Sequence, residues 1–160
     1  SAYFYLHFYT VNTAKLSENV WKEAEKMLEQ IQKYPQKEEY QKLVEADRIN
    51  LYEREAEKGD DRKFLEETDR VFKENLKGDP AWKLYERKLV YLESKQPDIS
   101  GEFERFLKKY PKVMDAYVEY SIYLCRNNKM TQAQRVYREG RKQTGMTSKR
   151  AEELRRKLGL

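Results

Sequence analysis

Gln134-Arg135-Val136-Tyr137-Arg138-Glu139, near the end of the chain, repeats the phrase Asp69-Arg70-Val71-Phe72-Lys73-Glu74 from its middle. Each phrase sets an arginine, a valine and an aromatic ring in succession within a stretch of helical periodicity. A helix pair that returns with the same apolar positions cannot bury its face alone, so the copies must stack. Working outward from the two phrases, Trp82 and Tyr85 return 35 residues later as Tyr117 and Tyr120, and Phe72, Phe106 and Tyr137 follow one another at intervals of 34 and 31. Periods of this size belong to helix-hairpin repeats and not to heptad coiled coils. Phe72, Trp82, Tyr85, Phe106, Tyr117, Tyr120 and Tyr137 are therefore the expected core of the repeat. Pro35, Pro80 and Pro111 punctuate successive units.

No stretch alternates apolar and polar residues as a half-buried strand would, so the expected fold is all-α, a right-handed α-solenoid of about four antiparallel hairpins plus a C-terminal helix. The first hairpin pairs Tyr3–Thr13 with a helix capped by Ser17, running through Trp21, Ala24, Leu28 and Ile31 and stopping before Tyr34-Pro35. The second pairs a helix over about Lys37–Lys58, with Tyr40, Leu43, Val44, Asp47, Leu51 and Tyr52 on one side, with a helix from about Asp61 through Leu76. The third opens at Pro80 behind Asp79 as a cap and returns over Ser100–Tyr110. The fourth carries Met114, Tyr117, Tyr120, Ile122 and Leu124, turns at Asn127-Asn128-Lys129 and resumes from Thr131 as a cap. Thr147 or Ser148 starts the last helix, with Ala151, Leu154 and Leu158 inward.

Composition supports exposed helices with one buried stripe each: 38% of the 160 residues are charged and 39% hydrophobic, and only six are Gly and four Pro. A length of this order suits a single domain, residues 1–160. Aromatics at 13% argue against disorder. Cys125 stands alone, so no internal disulfide forms, and it reads as a small buried hydrophobe of a reducing compartment. No run reaches the roughly 20 apolar residues that cross a bilayer, so no membrane is expected. A chain that opens within an aromatic helical segment reads as a piece of a longer protein.

The net charge of +5 is concentrated at one end, since Thr131 to Leu160 hold nine Lys or Arg against three Asp or Glu. Within that end Arg138, Arg141 and Lys142 lie three and four apart on one helix, and Arg150, Arg155 and Arg156 follow on the next. Together they form the candidate partner-binding surface for an acidic peptide or phosphates. The plainer reading is a solvated lattice of charge pairs with Glu139, Glu152 and Glu153.

Catalytic materials are scarce. His7, the sole histidine, lies among aromatics and reads as structural. Gly59-Asp60-Asp61 joins two helices and reads as a helix break, not as a metal-binding acidic triplet. The paired glutamates at 38–39, 66–67 and 152–153 sit near helix starts, where the macrodipole favours negative charge. No catalytic residue, cofactor site or metal site is expected, and the chain reads as a non-enzyme.

Trp82 with Tyr85, Tyr117 with Tyr120, the run Ala133, Arg135, Val136, Tyr137 and Glu139, the earlier Arg70, Val71 and Phe72, and the prolines Pro80 and Pro111 resemble the half-a-tetratricopeptide (HAT) repeat. The resemblance is clear over Asp61 to Gly145. Thr144-Gly145 stands where the family has a proline, and the first two hairpins lack the Trp-to-Tyr pair. The family implies a non-catalytic scaffold for protein–protein interaction in nuclear RNA processing, serving splicing, mRNA 3′-end formation or rRNA maturation, and often a homodimer. Two alternatives stand beside it: an RNA-binding module working through the basic C-terminal surface, and a cytoplasmic tetratricopeptide (TPR)-type adaptor holding a peptide in its concave groove.

Overall fold

A computed structural model describes residues 18–33, 38–74 and 77–160. The expected helix at Tyr3–Thr13, His7, the Ser17 cap, the Tyr34-Pro35 break and Leu76 lie outside these residues, as do the side chains of Trp21 and Tyr40. Among the described residues there are eight helices and no strands: α1 (Glu18–Gln32), α2 (Glu38–Glu57), α3 (Arg62–Lys73), α4 (Gly78–Glu93), α5 (Ser100–Lys109), α6 (Met114–Arg126), α7 (Met130–Thr144) and α8 (Lys149–Lys157). The protein is all-α. No described helix is long and apolar enough to cross a membrane. The chain divides into two compact units, Ser1–Arg70 and Val71–Leu160, with the boundary inside α3.

In the first unit α1 packs on α2 through Ala24, Leu28 and Ile31 against Val44 and Leu51, with Tyr52 alongside. Ala24, Leu28 and Ile31 recur at four and three along α1, and Val44 and Leu51 lie two turns apart on α2, which gathers each set on one face. The apolar face of α2 differs from its expected one. Leu43 is 46% exposed while Ile49 and Ala56 are buried, so the buried residues of α2 spread around its axis. Thr68 satisfies its own hydroxyl by bonding back to the Phe64 and Leu65 carbonyls, both at 3.0 Å. Ion pairs bind the helices at their edges: Glu67 receives Arg48 at 3.0 Å and Arg70 at 2.7 Å, and Arg70 reaches Glu45 of α2. Lys63 of α3 meets Glu25 of α1 and lies 3.7 Å from Glu55 of α2.

The second unit is built on rings. Trp82 and Phe106 meet edge to face at 5.0 Å, Tyr85 and Phe106 lie 5.2 Å apart, and Phe72 reaches Tyr85 at 4.9 Å. Such pairs add about 0.5 to 1.5 kcal/mol each beyond the area they bury. Advancing along α4 from Trp82 to Lys88 meets α5 in reverse order, from Phe106 back to Glu102, so the two helices run antiparallel. The next pair of helices is also antiparallel: Ile99, Phe103 and Pro111 meet Tyr123, Tyr120 and Tyr117 in turn. A turn at Asn127, Asn128 and Lys129, with Asn128 at φ 58°, reverses the chain into α7. Finally α8 lies back against α6, where Arg150 pairs with Glu119.

Two expected caps do not form. Asp79 lies inside the first turn of α4, which starts at Gly78 after the extended residue Lys77, and no side chain caps it. Pro80 tolerates that position because the first N–H groups of a helix have no intrahelical acceptor. Thr131 likewise falls inside α7, whose preceding residue is Lys129. Ser148 does cap α8, accepting from the Ala151 N–H at 3.1 Å. At the end of α7, Gly145 takes φ 80° and donates its N–H to the Arg141 carbonyl, the left-handed closure that glycine makes without strain.

Candidate functional site

Between α5 and α7 of the second unit runs a groove of about 860 Å³. Its walls are helical stripes: Glu104, Leu107 and Lys108 on α5, and Gln132, Arg135, Val136 and Glu139 on α7. Spacings of three and four place each set on one side of its helix. The floor is α6, through Tyr117, Tyr120 and Leu124, and Asp98, Ser100 and Lys129 close one end.

The closed end is tied by hydrogen bonds. Asp98 accepts from Lys129 at 2.9 Å and from the Ser100 N–H at 2.9 Å, with the Tyr123 hydroxyl 3.3 Å away. Hydrogen bonds from Ser100 and Lys129 hold the Asp98 carboxyl well below its usual range. The Tyr123 hydroxyl also accepts the N–H of buried Ile99 at 3.0 Å. On the floor, the Tyr120 ring stacks on Phe103 with centroids 4.8 Å apart and planes 8° apart, and its hydroxyl donates to Glu104 at 3.0 Å. Burial, reinforced by the hydrogen-bonded carboxylate of Glu104 and by the charge of Asp98, pushes the Tyr120 phenol up to about 12. It stays a neutral donor throughout the physiological range. The Tyr117 hydroxyl donates to the Pro111 carbonyl at 3.2 Å.

The seven aromatics expected at the repeat core, Phe72, Trp82, Tyr85, Phe106, Tyr117, Tyr120 and Tyr137, are all buried, none more than 8% exposed. A polar cluster that the sequence did not single out joins α4 to α5: Lys88, only 4% exposed, lies 3.2 Å from Glu102, which also accepts from Tyr85.

The basic residues of the C-terminal end do not share one state. Arg155 and Arg156 both engage Glu152, at 2.8 and 3.6 Å, and Arg155 also bonds the Leu160 carbonyl. Arg150 is taken by Glu119, and Lys142 stands 4.0 Å from Glu139. Arg138 and Arg141 are exposed and make no ion pair among the described residues. Glu119, a partner absent from the expected lattice, sits on α6. Cys125 is half-buried and not fully enclosed, in a smaller hollow with Ile122, Met130 and Leu154, and burial pushes its thiol up. No family model, no curated protein and no solved structure matches this chain.

Proposed function

We propose that this chain is a non-catalytic helical-repeat scaffold that holds other proteins, a HAT-type array in nuclear RNA processing whose hairpins stack as a right-handed α-solenoid. What supports the reading is that the aromatic residues recurring along the sequence are all buried. Trp82 and Tyr85 on α4 and Tyr117 and Tyr120 on α6 are buried, and each pair is followed by a helix with a buried ring, Phe106 on α5 and Tyr137 on α7. A unit repeated in this way builds extended surface between successive helices, where a partner segment has room to lie. Some of the polar groups of the second unit, such as Asp98, Glu102 and Tyr123, are occupied in holding helices together.

A second reading, RNA binding through the basic end, draws on Arg138 and Arg141, which stand exposed on the last turns of α7. Affinity purification of the chain from nuclear extract, with and without ribonuclease, separates the two. Protein partners that persist after ribonuclease are the expected result. Loss of every partner with the RNA moves the function to nucleic-acid binding, and recovery of cytosolic chaperones alone moves it to a TPR-type adaptor.

A further inference from the structure

Three carboxylates and three cations line the groove between α5 and α7, and they are not equally engaged. Asp98 is held by Lys129 and the Ser100 N–H, Glu104 accepts from Tyr120, and Glu139 accepts from Gln143 at 2.9 Å with Lys142 at 4.0 Å. Lys108 on one wall and Arg135 on the other make no ion pair among the described residues.

The state of Arg135 follows from the repeated phrase. Its counterpart Arg70 is taken by Glu67, three residues earlier, at 2.7 Å. At the corresponding place before Arg135 stands Gln132, which carries no charge. The arginine that is paired at this place on α3, with Glu67 and with Glu45 of α2, therefore stands open at the groove on α7. Beside the two open cations in the chain stand Leu107 and Val136, each partly exposed, so the walls offer apolar surface next to positive charge.

We propose that this groove binds an acidic segment of a partner protein, with carboxylates taken by Lys108 and Arg135 and aliphatic side chains laid on Leu107 and Val136. The proposal rests on the protein-scaffold reading above and names the chemistry of its partner. Charge-assisted bonds from a guanidinium to a carboxylate are among the strong ones, and apolar contact beside them excludes water. The groove suits a peptide better than a nucleic acid. A peptide brings aliphatic side chains to lie on Leu107 and Val136, which a phosphate backbone does not. Tyr117 and Tyr120 are each only 5% exposed and offer no ring face on which a base could stack.

The test is fluorescence anisotropy of the full chain with a labelled peptide of repeated Glu-Glu-Leu, beside the same peptide with Lys for Glu and a uridine oligonucleotide. The Glu-Glu-Leu peptide is expected to bind, and Lys108→Glu with Arg135→Glu to weaken it about tenfold or more. Arg138→Glu with Arg156→Glu, outside the groove, should leave its affinity within about twofold. Equal weakening by both double variants, no preference over the Lys peptide, or capture of the oligonucleotide in its place would overturn the assignment. The two levels separate in nuclear extract. Ribonuclease-resistant partners kept by the Lys108→Glu, Arg135→Glu chain would remove this groove and leave the scaffold, whereas a parent chain without protein partners would remove the scaffold itself.

Discussion

Gly140 of α7 sits against Tyr117 of α6 so closely that a Cβ there would lie 2.7 Å from both the Cβ and the Cγ of the tyrosine, and would also strike Met146. Met146 can swing its terminal methyl aside, but the root of the Tyr117 side chain moves only with its helix. Gly140→Ala is therefore expected to force α6 and α7 apart at a cost of about 1 to 3 kcal/mol, despite the better helix propensity of alanine. Thermal melting checks it: an unchanged or raised Tm would mean that the two helices have room to separate.

Tyr123→Phe removes a hydroxyl that accepts the Ile99 N–H at 3.0 Å, in a place where Ile99 is 2% exposed. A buried N–H left without an acceptor costs about 1 to 3 kcal/mol, far more than the loss of one exposed hydrogen bond. The expected signature is local as well as global. Amide exchange at Ile99 should accelerate in the variant, and an exchange rate equal to the parent's would show that another acceptor takes the proton.

Trp82→Ala empties a site in contact with Phe103 and Phe106, at centroid distances of 6.3 and 5.0 Å. The expected loss is about 3 to 5 kcal/mol, a large part of the stability of a domain this size. Urea unfolding reads it directly. A midpoint unmoved from that of the parent would mean that the indole supports little of the unit.

In the first unit, burial, together with the hydrogen-bonded neighbour Glu25, pushes the Glu55 carboxyl up to about 7, with Lys63 opposing and Asp60 adding to the shift. The folded state then keeps a proton that the unfolded chain has already released. Stability is accordingly greatest below the ordinary glutamate range and falls as pH rises from there through about 7. Water reaches part of the carboxyl, so the loss is set at about 1 to 2 kcal/mol. Glu55→Gln, which keeps the shape and the donor, should flatten that slope in urea titrations taken on either side of neutrality. A parent slope that survives the substitution would assign it to another group.

The aromatic spacing made the α4 to α7 core legible, because Trp82, Tyr85, Tyr117 and Tyr120 recur at intervals only a helix face explains. Tyr123 carried the same signal, three residues beyond Tyr120, and was readable by extending the run. Lys88 was not, since a lysine on a charged helix looks like solvent-facing surface until Glu102 and Tyr85 are seen to close over it. The caps expected at Asp79 and Thr131 failed for a related reason: composition marks where a helix is able to start, and tertiary contacts choose among neighbouring starts. The groove was the least legible. Leu107 and Arg135 belong to helices separated by α6, and the tilt that turns both toward one space is not written in either local pattern. Arg135 was visible as a cation, but its freedom depended on Gln132 standing where Arg70 has Glu67.

The tyrosines of the second unit do more than fill space, for their hydroxyls reach beyond the rings to fixed addresses: Tyr85 to Glu102, Tyr117 to Pro111, Tyr120 to Glu104 and Tyr123 to Ile99. A core of phenylalanine and leucine would hold the register of its helices by shape alone. Here a one-turn slip of α6 would break the bonds of Tyr117, Tyr120 and Tyr123 together. Pulled from its ends, the unit should hold its length under load and then give way in one step, a latch and not a spring.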